Sequence, residues 1–413
     1  MDDMHVTREL YRAVEQGELP RNFLDEVVTD HLMARCVHCR AEVMAYGQER
    51  QAGPAVWSRI LQMFGLLADR LLAPSAREER RARKELEELL SLPPEARMKR
   101  LARARGRFRS AALVRLLLDE SRRHIPRNPA DALCCAELAR SVADRNPRMA
   151  DYFDLHVLAT ATMANACRLL GDSRRADDLF LRARQIMNEH GVTDLSVIAR
   201  VDDLVGSLRR DQRRLPEAAK LQRRAATLFS LRKQWNDAAR ALINLGAVCH
   251  HQDEGEQAIE ATRAALGLLG PDAEPRLHLC ANYNLAYYLT IAGRYDEAED
   301  LLEAGAPLYR ECAEPWTDLR VLWLRGDIAL GRGDTAAAEQ AYRETRDGFI
   351  AQHQSYDAAL VSLDLAALYL QEGRTSDVRR LAEEMLSIFH SENIHREALA
   401  ALRLFQESAR RTS

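Results

Sequence analysis

The chain has 413 residues, with 59 basic against 62 acidic side chains, 47% apolar and 29% charged. That apolar share excludes wholesale disorder, and a net charge of −3 argues against a chain built to coat nucleic acid or an anionic membrane. Aromatic residues make up only 6%, with 13 prolines and 19 glycines, a composition that suits helices far better than sheets.

The length allows two or three domains, or one long repeat array. Met1 to Leu10 is acidic and polar, without the apolar run of a secretory signal. The most apolar stretch, Ala55 to Ala73, is interrupted by Arg59, Asp69 and Arg70, so no membrane span is expected. A soluble cytoplasmic protein is the expectation. In that setting Cys134, Cys135, Cys167, Cys249, Cys280 and Cys312, all within helical apolar patterns, read as buried thiols packing as small hydrophobes.

Residues 1–52 form a first module of three short helices, about 6–16, 21–34 and 38–50, separated by Gly17–Pro20 and by an ARCVHC turn. The pair Cys36 and Cys39 presents two thiolates at the start of a helix, where they are more easily deprotonated. His31 lies within reach of that turn, and His5, 26 positions upstream, could close a tetrahedral site. This pattern resembles the zinc-binding anti-sigma domain, an upstream His followed by His-x3-Cys-x2-Cys on a three-helix bundle. The resemblance implies zinc held by His5, His31, Cys36 and Cys39. The gap after His31 is four residues here, so His31 or His38 remains open as the ligand, as does a metal-free hairpin.

Residues 53–107 follow as a docking helix and a charged linker. Ala55 to Leu72 carries Trp57, Ile60, Leu61, Phe64 and Leu67 on a stripe too wide to stay in water, so it must pack on this chain or on a partner. In the anti-sigma family the corresponding helix lies against the sigma factor. Ala76 to Leu92 has Glu and Arg at i, i+3 and i, i+4 spacings and reads as a solvated spacer. Arg97 to Arg109 holds seven basic residues in thirteen, but the acidic run before it offers neutralisation, so nucleic acid is not the expected partner.

Residues 108–149 read as an atypical capping pair, and a repeat occupies 150–392. Its anchors are Ala176, Ala218, Ala258, Ala298, Ala338 and Val378, spaced by 42, 40, 40, 40 and 40. Twelve residues before each stands Ala164, Gly206, Gly246, Ala286, Gly326 or Ala366, and seven after each comes Ala183, Ala225, Ala265, Gly305, Thr345 or Met385. Small residues facing each other let two helix backbones approach closely. Gly293 and Gly373 are placed to end the first helix of a pair in a left-handed conformation, and Asp296, Thr335 and Ser376 fall where caps of the second are expected. These columns resemble the tetratricopeptide repeat (TPR), with a period of 40 in place of 34, the excess read as a longer second helix. The fold class expected is all-α: a right-handed TPR-like superhelix of six to seven hairpins, preceded by the small His/Cys module and closed by a capping helix in 393–413.

In tetratricopeptide superhelices the first helix of each pair lines the inner groove, where extended peptides bind. That resemblance implies a groove containing Arg168, Arg200, Arg210, Arg240, Tyr283, Tyr287, Arg320 and Trp323. The arginines would grip carboxylates and the aromatics supply rigid contact area, favouring an acidic or C-terminal peptide. No phosphate-binding Gly loop, dinucleotide fingerprint, His-Glu-x-x-His or nucleophile elbow occurs, and CHHQDEGE at 249–256 falls on a turn, so no enzyme is expected. The expected function is a non-catalytic protein-binding scaffold that controls a sigma factor through its N-terminal module. The alternative is a plain assembly adaptor with a structural or metal-free finger.

Overall fold

The computed structural model describes residues 76–391, apart from 126, 150, 272 and 312–316, together with Arg403. The proposed zinc ligands His5, His31, Cys36 and Cys39, the docking stretch with Trp57, Ile60, Leu61, Phe64 and Leu67, and Cys312 lie outside the described residues. So does nearly all of the expected C-terminal capping helix.

Among the described residues every regular element is a helix, sixteen in all. They are α1 (Ala76–Leu90), α2 (Pro94–Arg103), α3 (Ala111–His124), α4 (Pro129–Asp144), α5 (Tyr152–Leu169), α6 (Ser173–Glu189), α7 (Leu195–Asp211) and α8 (Leu215–Leu231). The rest are α9 (Trp235–His251), α10 (Gly255–Leu268), α11 (Pro275–Ile291), α12 (Tyr295–Glu311), α13 (Thr317–Gly331), α14 (Thr335–Ala351), α15 (Ser355–Gln371) and α16 (Thr375–Ser391). The chain forms two compact units, Met1–Asn244 and Leu245–Ser413, the division falling within α9.

The sequence columns are the seams of the hairpins. Consecutive helices pack as α5 on α6, α7 on α8, α11 on α12, α13 on α14 and α15 on α16, and Gly246 of α9 meets Ala258 and Thr262 of α10. The anchors Ala176, Ala218, Ala258, Ala298, Ala338 and Val378 are all fully buried. The small column allows close approach. A Cβ added to Gly206, Gly246 or Gly326 would stand 2.7, 2.5 and 2.7 Å from Gln222, Thr262 and Tyr342, each sixteen residues on. Where the small residue is Ala, the same opposing site holds Phe180, Leu302 or Ala382, again buried. Gly326→Val should therefore drive the buried Tyr342 ring off its seat and cost about 1–3 kcal/mol in denaturant titration. An unchanged midpoint would show that the seam yields.

The turn within each hairpin repeats as well. Gly171, Gly293, Gly333 and Gly373 have φ between 75° and 85°, as a left-handed helix end requires. In the second and third copies Arg213 and Asp253 occupy the same position at φ 61°, which an L side chain enters only at a cost.

Three expectations need correcting. The added length is not confined to the second helix, since both partners of the α7–α8, α11–α12 and α15–α16 hairpins are seventeen residues long. The caps fall earlier than Asp296, Thr335 and Ser376, which lie inside their helices: Asp334 Oδ1 accepts from Ala337 N at 3.0 Å, and Asp172 Oδ1 from Arg175 N at 3.0 Å. Finally, Ala76–Leu92 is not a solvated spacer. Alternating charges hide a short apolar stripe, and Ala82, Glu85 and Leu89 are buried in a core shared with Leu113, Leu117 and Phe108.

The basic run that follows serves that core. Arg100 Nε donates to Glu88 at 2.8 Å, Arg107 pairs with the same carboxylate, and both guanidiniums lie over the Phe108 ring, at 5.4 and 4.9 Å. Phe108 itself is fully buried with φ 56°.

Candidate functional site

In the first unit a cavity of about 490 Å³ opens on the first helices of successive hairpins, α3, α5 and α7, and on the turn leading into α9. Arg115 and Arg122 come from α3, Asp151 precedes α5, Arg200 comes from α7, and Phe229, Arg232 and Asp237 come from α8, its end and α9. Helical spacing explains the convergence: Leu155, Val197 and Asp237 each stand nine residues before the small residue of their copy, one turn from Leu158 and Arg200 in the next column.

Arg200 is the centre of this site, with only 12% of its side chain exposed. Its guanidinium donates to Asp237 at 2.6 Å and to Asp203 at 3.4 Å, and lies 5.1 Å from the centre of the Phe229 ring. Burial opposes its charge, but the two carboxylates outweigh that and hold it protonated. Burial likewise works against the Asp237 carboxylate and is overcome by Arg200 and Arg240, which hold its pKa below the usual range. Arg115 pairs with Asp151, while Arg232 Nε donates to Ser196 Oγ at 3.2 Å and Asp194 accepts from the Ser196 and Val197 amides.

Of the predicted groove residues in this unit, only Arg200 lines the cavity. Arg240 stands behind it, donating to Asp237 at 2.6 Å. Arg168 and Arg210 meet instead at Asp211, near the other end of α5 and α7. The cavity lies toward the N-terminal ends of α5 and α7, away from Arg168 and Arg210. Arg115, Asp151, Phe229, Arg232 and Asp237 were missed. The signal for Asp237 was present in the column nine before the small residue, but Arg115 and Arg232 lie outside the repeat columns.

In the second unit the remaining predictions gather around α11, α13 and α15. Trp323 Nε1 donates to Asp364 at 2.8 Å and its ring stands edge-on to Phe349, centroids 6.4 Å apart. Tyr342 Oη donates to Asp327 at 2.7 Å. Tyr287 packs edge-on against His250, centroids 5.3 Å apart, and lies within the electrostatic reach of both Asp327 and Asp364. Tyr283 lies near Asp327, Tyr287 and Arg320, and burial raises its phenol above the ordinary range. Arg320 pairs with Asp357 at 3.6 Å. Burial pushes the Asp327 carboxyl up to about 7 and the Asp364 carboxyl up to about 6, against the pull of their aromatic donors.

Among the described residues no group of three or more His, Cys, Asp and Glu side chains is disposed to hold a metal ion. The 249–256 turn follows this pattern, with His250 engaged by Tyr287 and Asp253 at the left-handed position. Cys134, Cys135 and Cys167 are free thiols, and burial pushes Cys135 up to about 12, which suppresses the thiolate. No described helix is long and apolar enough to cross a membrane.

The paired helices, small-residue seams and 40-residue register define a TPR-like helical repeat. Solved structures share that fold. The apo form of RapI is 12% identical with a TM-score of 0.51, the match covering 73% of this chain and 98% of that one. A Rap protein complexed with competence and sporulation factor is 16% identical with a TM-score of 0.52, covering 71% and 85%. Aspartyl phosphate phosphatase F from Bacillus subtilis is 13% identical with a TM-score of 0.50, covering 91% and 89%. No protein-family profile and no curated protein sequence matches the chain.

Proposed function

We propose that the chain is a non-catalytic, protein-binding scaffold whose cavity at Arg200 takes an acidic or C-terminal peptide segment. The observation that carries this reading is the cavity itself, about 490 Å³ bounded by helices of consecutive hairpins and by four arginines. The cavity wall carries Arg122, which also pairs with Asp119 on its own helix, and Arg232, in the turn after α8, which also donates to Ser196, and an entering carboxylate approaches these two guanidiniums. Phe229, fully buried, backs the Arg200 guanidinium from below. The Rap structure of similar fold is a complex with competence and sporulation factor, which supports the view that this architecture accommodates a second molecule. Arg168, Arg210 and Arg240 of the first unit and, separately, Tyr283, Tyr287, Arg320 and Trp323 of the second are proposed as further peptide contacts, each within its own unit.

The finer reading is regulatory: zinc held by His5, His31, Cys36 and Cys39, and a sigma factor engaged by the Trp57–Leu67 stretch. Two thiolates with two imidazoles suit zinc. Both readings are tested by affinity purification of the full chain from its native host, beside an Arg122→Glu, Arg232→Glu variant, with metal measured on the same samples. A partner retained by the parent and lost from the variant supports the cavity, and equal recovery removes it. Zinc together with a sigma factor supports the regulatory reading. Recovery of enzymes alone, without zinc, overturns it.

A further inference from the structure

Four buried or half-buried carboxylates in the first unit are matched to guanidiniums: Asp202 to Arg224, Asp203 and Asp237 to Arg200, Asp177 to Arg209. Asp327 and Asp364 break that rule. Each accepts one hydrogen bond from a neutral aromatic donor, Tyr342 Oη at 2.7 Å and Trp323 Nε1 at 2.8 Å, and neither has a cationic partner among the described residues. Their remaining oxygens, Asp327 Oδ2 and Asp364 Oδ1, have no hydrogen-bond partner there either. The two carboxyls are near enough for Asp364 to raise Asp327, and Tyr287 senses both. Arg320, which acts on Tyr283, is engaged with Asp357 at 3.6 Å.

What surrounds these carboxyls is aromatic. Tyr283 and Tyr287 stand one turn apart on α11, Trp323 lies on α13 in the column of Tyr283, and Tyr342 closes the side toward α14. The Tyr283 hydroxyl makes no hydrogen bond among the described residues although burial shifts its phenol upward. Rings beside unmatched carboxylates are the arrangement that recognises a desolvated cation, through the negative ring faces and a charge-assisted hydrogen bond together.

We propose that Asp327, Asp364, Tyr283, Tyr287 and Trp323 form a receptor for the guanidinium or ammonium head of a basic side chain carried by a bound polypeptide. The head enters against Asp327 Oδ2 and Asp364 Oδ1, and its alkyl stem lies along the rings. This site is opposite in sign to the arginine-lined cavity of the first unit and does not depend on it. Protonation competes with the cation, so binding weakens as pH falls through about 7, where Asp327 takes up its proton, and further as Asp364 does so at about 6. The groups that face these two carboxyls are Tyr283 and Tyr287 of α11, Trp323 of α13 and Tyr342 of α14, with Arg320 beside Tyr283.

The probe is an acetylated, amidated Ala-Ala-Arg-Ala-Ala peptide, titrated into the full chain at pH 8 beside its neutral citrulline counterpart. The readout is the indole N–H resonance of Trp323, assigned from a Trp323→Phe sample. We expect a saturable shift with arginine, none with citrulline, and affinity at least about tenfold weaker in Asp327→Asn, Asp364→Asn, equivalent to about 1.4 kcal/mol. Asn retains an oxygen for the Tyr342 and Trp323 donors, so the variant keeps its fold. Equal response to citrulline, an unmoved Trp323 resonance, or undiminished binding in the double variant overturns the proposal. A charge-reversed variant of the first-unit cavity, Arg122→Glu, Arg232→Glu, should bind this peptide as the parent does. Loss of binding there would also overturn it.

Discussion

Replacing Arg200 by alanine is expected to destabilise the first unit by about 3 kcal/mol, well beyond the effect of removing any exposed arginine of the chain. The reason is where the charge sits. Arg200 is 12% exposed and bridges Asp237 on α9 to Asp203 on its own helix, so its loss strands two carboxylates already taken out of water. Each retains one partner, Arg240 for Asp237 and Asn244 for Asp203, the latter at 2.9 Å, which places the cost toward the lower end for a broken buried pair. Asp237 has its pKa lowered by folding, so its contribution is present above its ordinary value of 3.8 and lost as pH falls through the folded value. Urea titration of both proteins at pH 7 and near pH 3 measures this directly: the gap between them should narrow in acid. A gap that is small at pH 7, or constant with pH, would mean that Arg200 is not the keystone of this site.

The second unit should behave in the opposite sense. Folding raises the Asp327 carboxyl from 3.8 to about 7, so the folded state favours its neutral form. That stabilisation is fully present below pH 3.8 and disappears as pH rises through about 7, with Asp364 adding a parallel loss up to about 6. Asp327→Asn keeps the acceptor for Tyr342 and cannot ionise. We therefore expect the variant to be more stable than the parent at pH 8, by on the order of 2–4 kcal/mol, and indistinguishable from it near pH 4. Thermal midpoints across pH 4 to 8 supply the check. A variant less stable than the parent at pH 8 would show that the ionised carboxylate is satisfied by something other than Tyr342. A bound cation acts in the same direction as the substitution, so the Arg-bearing peptide should stabilise the parent at pH 8 and leave the variant little changed.

Architecture was legible in the sequence because a repeated seam writes itself into fixed columns. Ala176 through Val378 tolerate nothing bulky, and six registered copies leave few alternatives to paired helices. The site was legible only where it obeyed those columns. Arg200 stands in a helix-facing column, whereas Arg115 belongs to a pair preceding the repeat and Arg232 lies in a turn. Charge pairing was the deeper obstacle. Arg168 and Arg210 look like free donors on a helix face, yet both end on Asp211, a neighbour that a column view does not associate with Arg168. Conversely, nothing in the sequence marks Asp327 and Asp364 as unmatched, since an aspartate among apolar helix residues reveals its lack of a counter-charge only once its three-dimensional neighbours are known. The same holds for α1, whose charge pattern hides the burial of Ala82 and Leu89.

From Ala218 onward the step is a constant 40 residues, which carries a consequence for how such a chain can change over generations. Each seam joins a residue to another sixteen positions later, and each turn recurs at the same phase, so excising or copying any stretch one full step long brings matching surfaces back together wherever the cut falls. A loss of half a step would set large side chains against large ones. Heritable length variation in this architecture is thereby quantised, and a binding face can be lengthened by one hairpin without redesigning those that flank it.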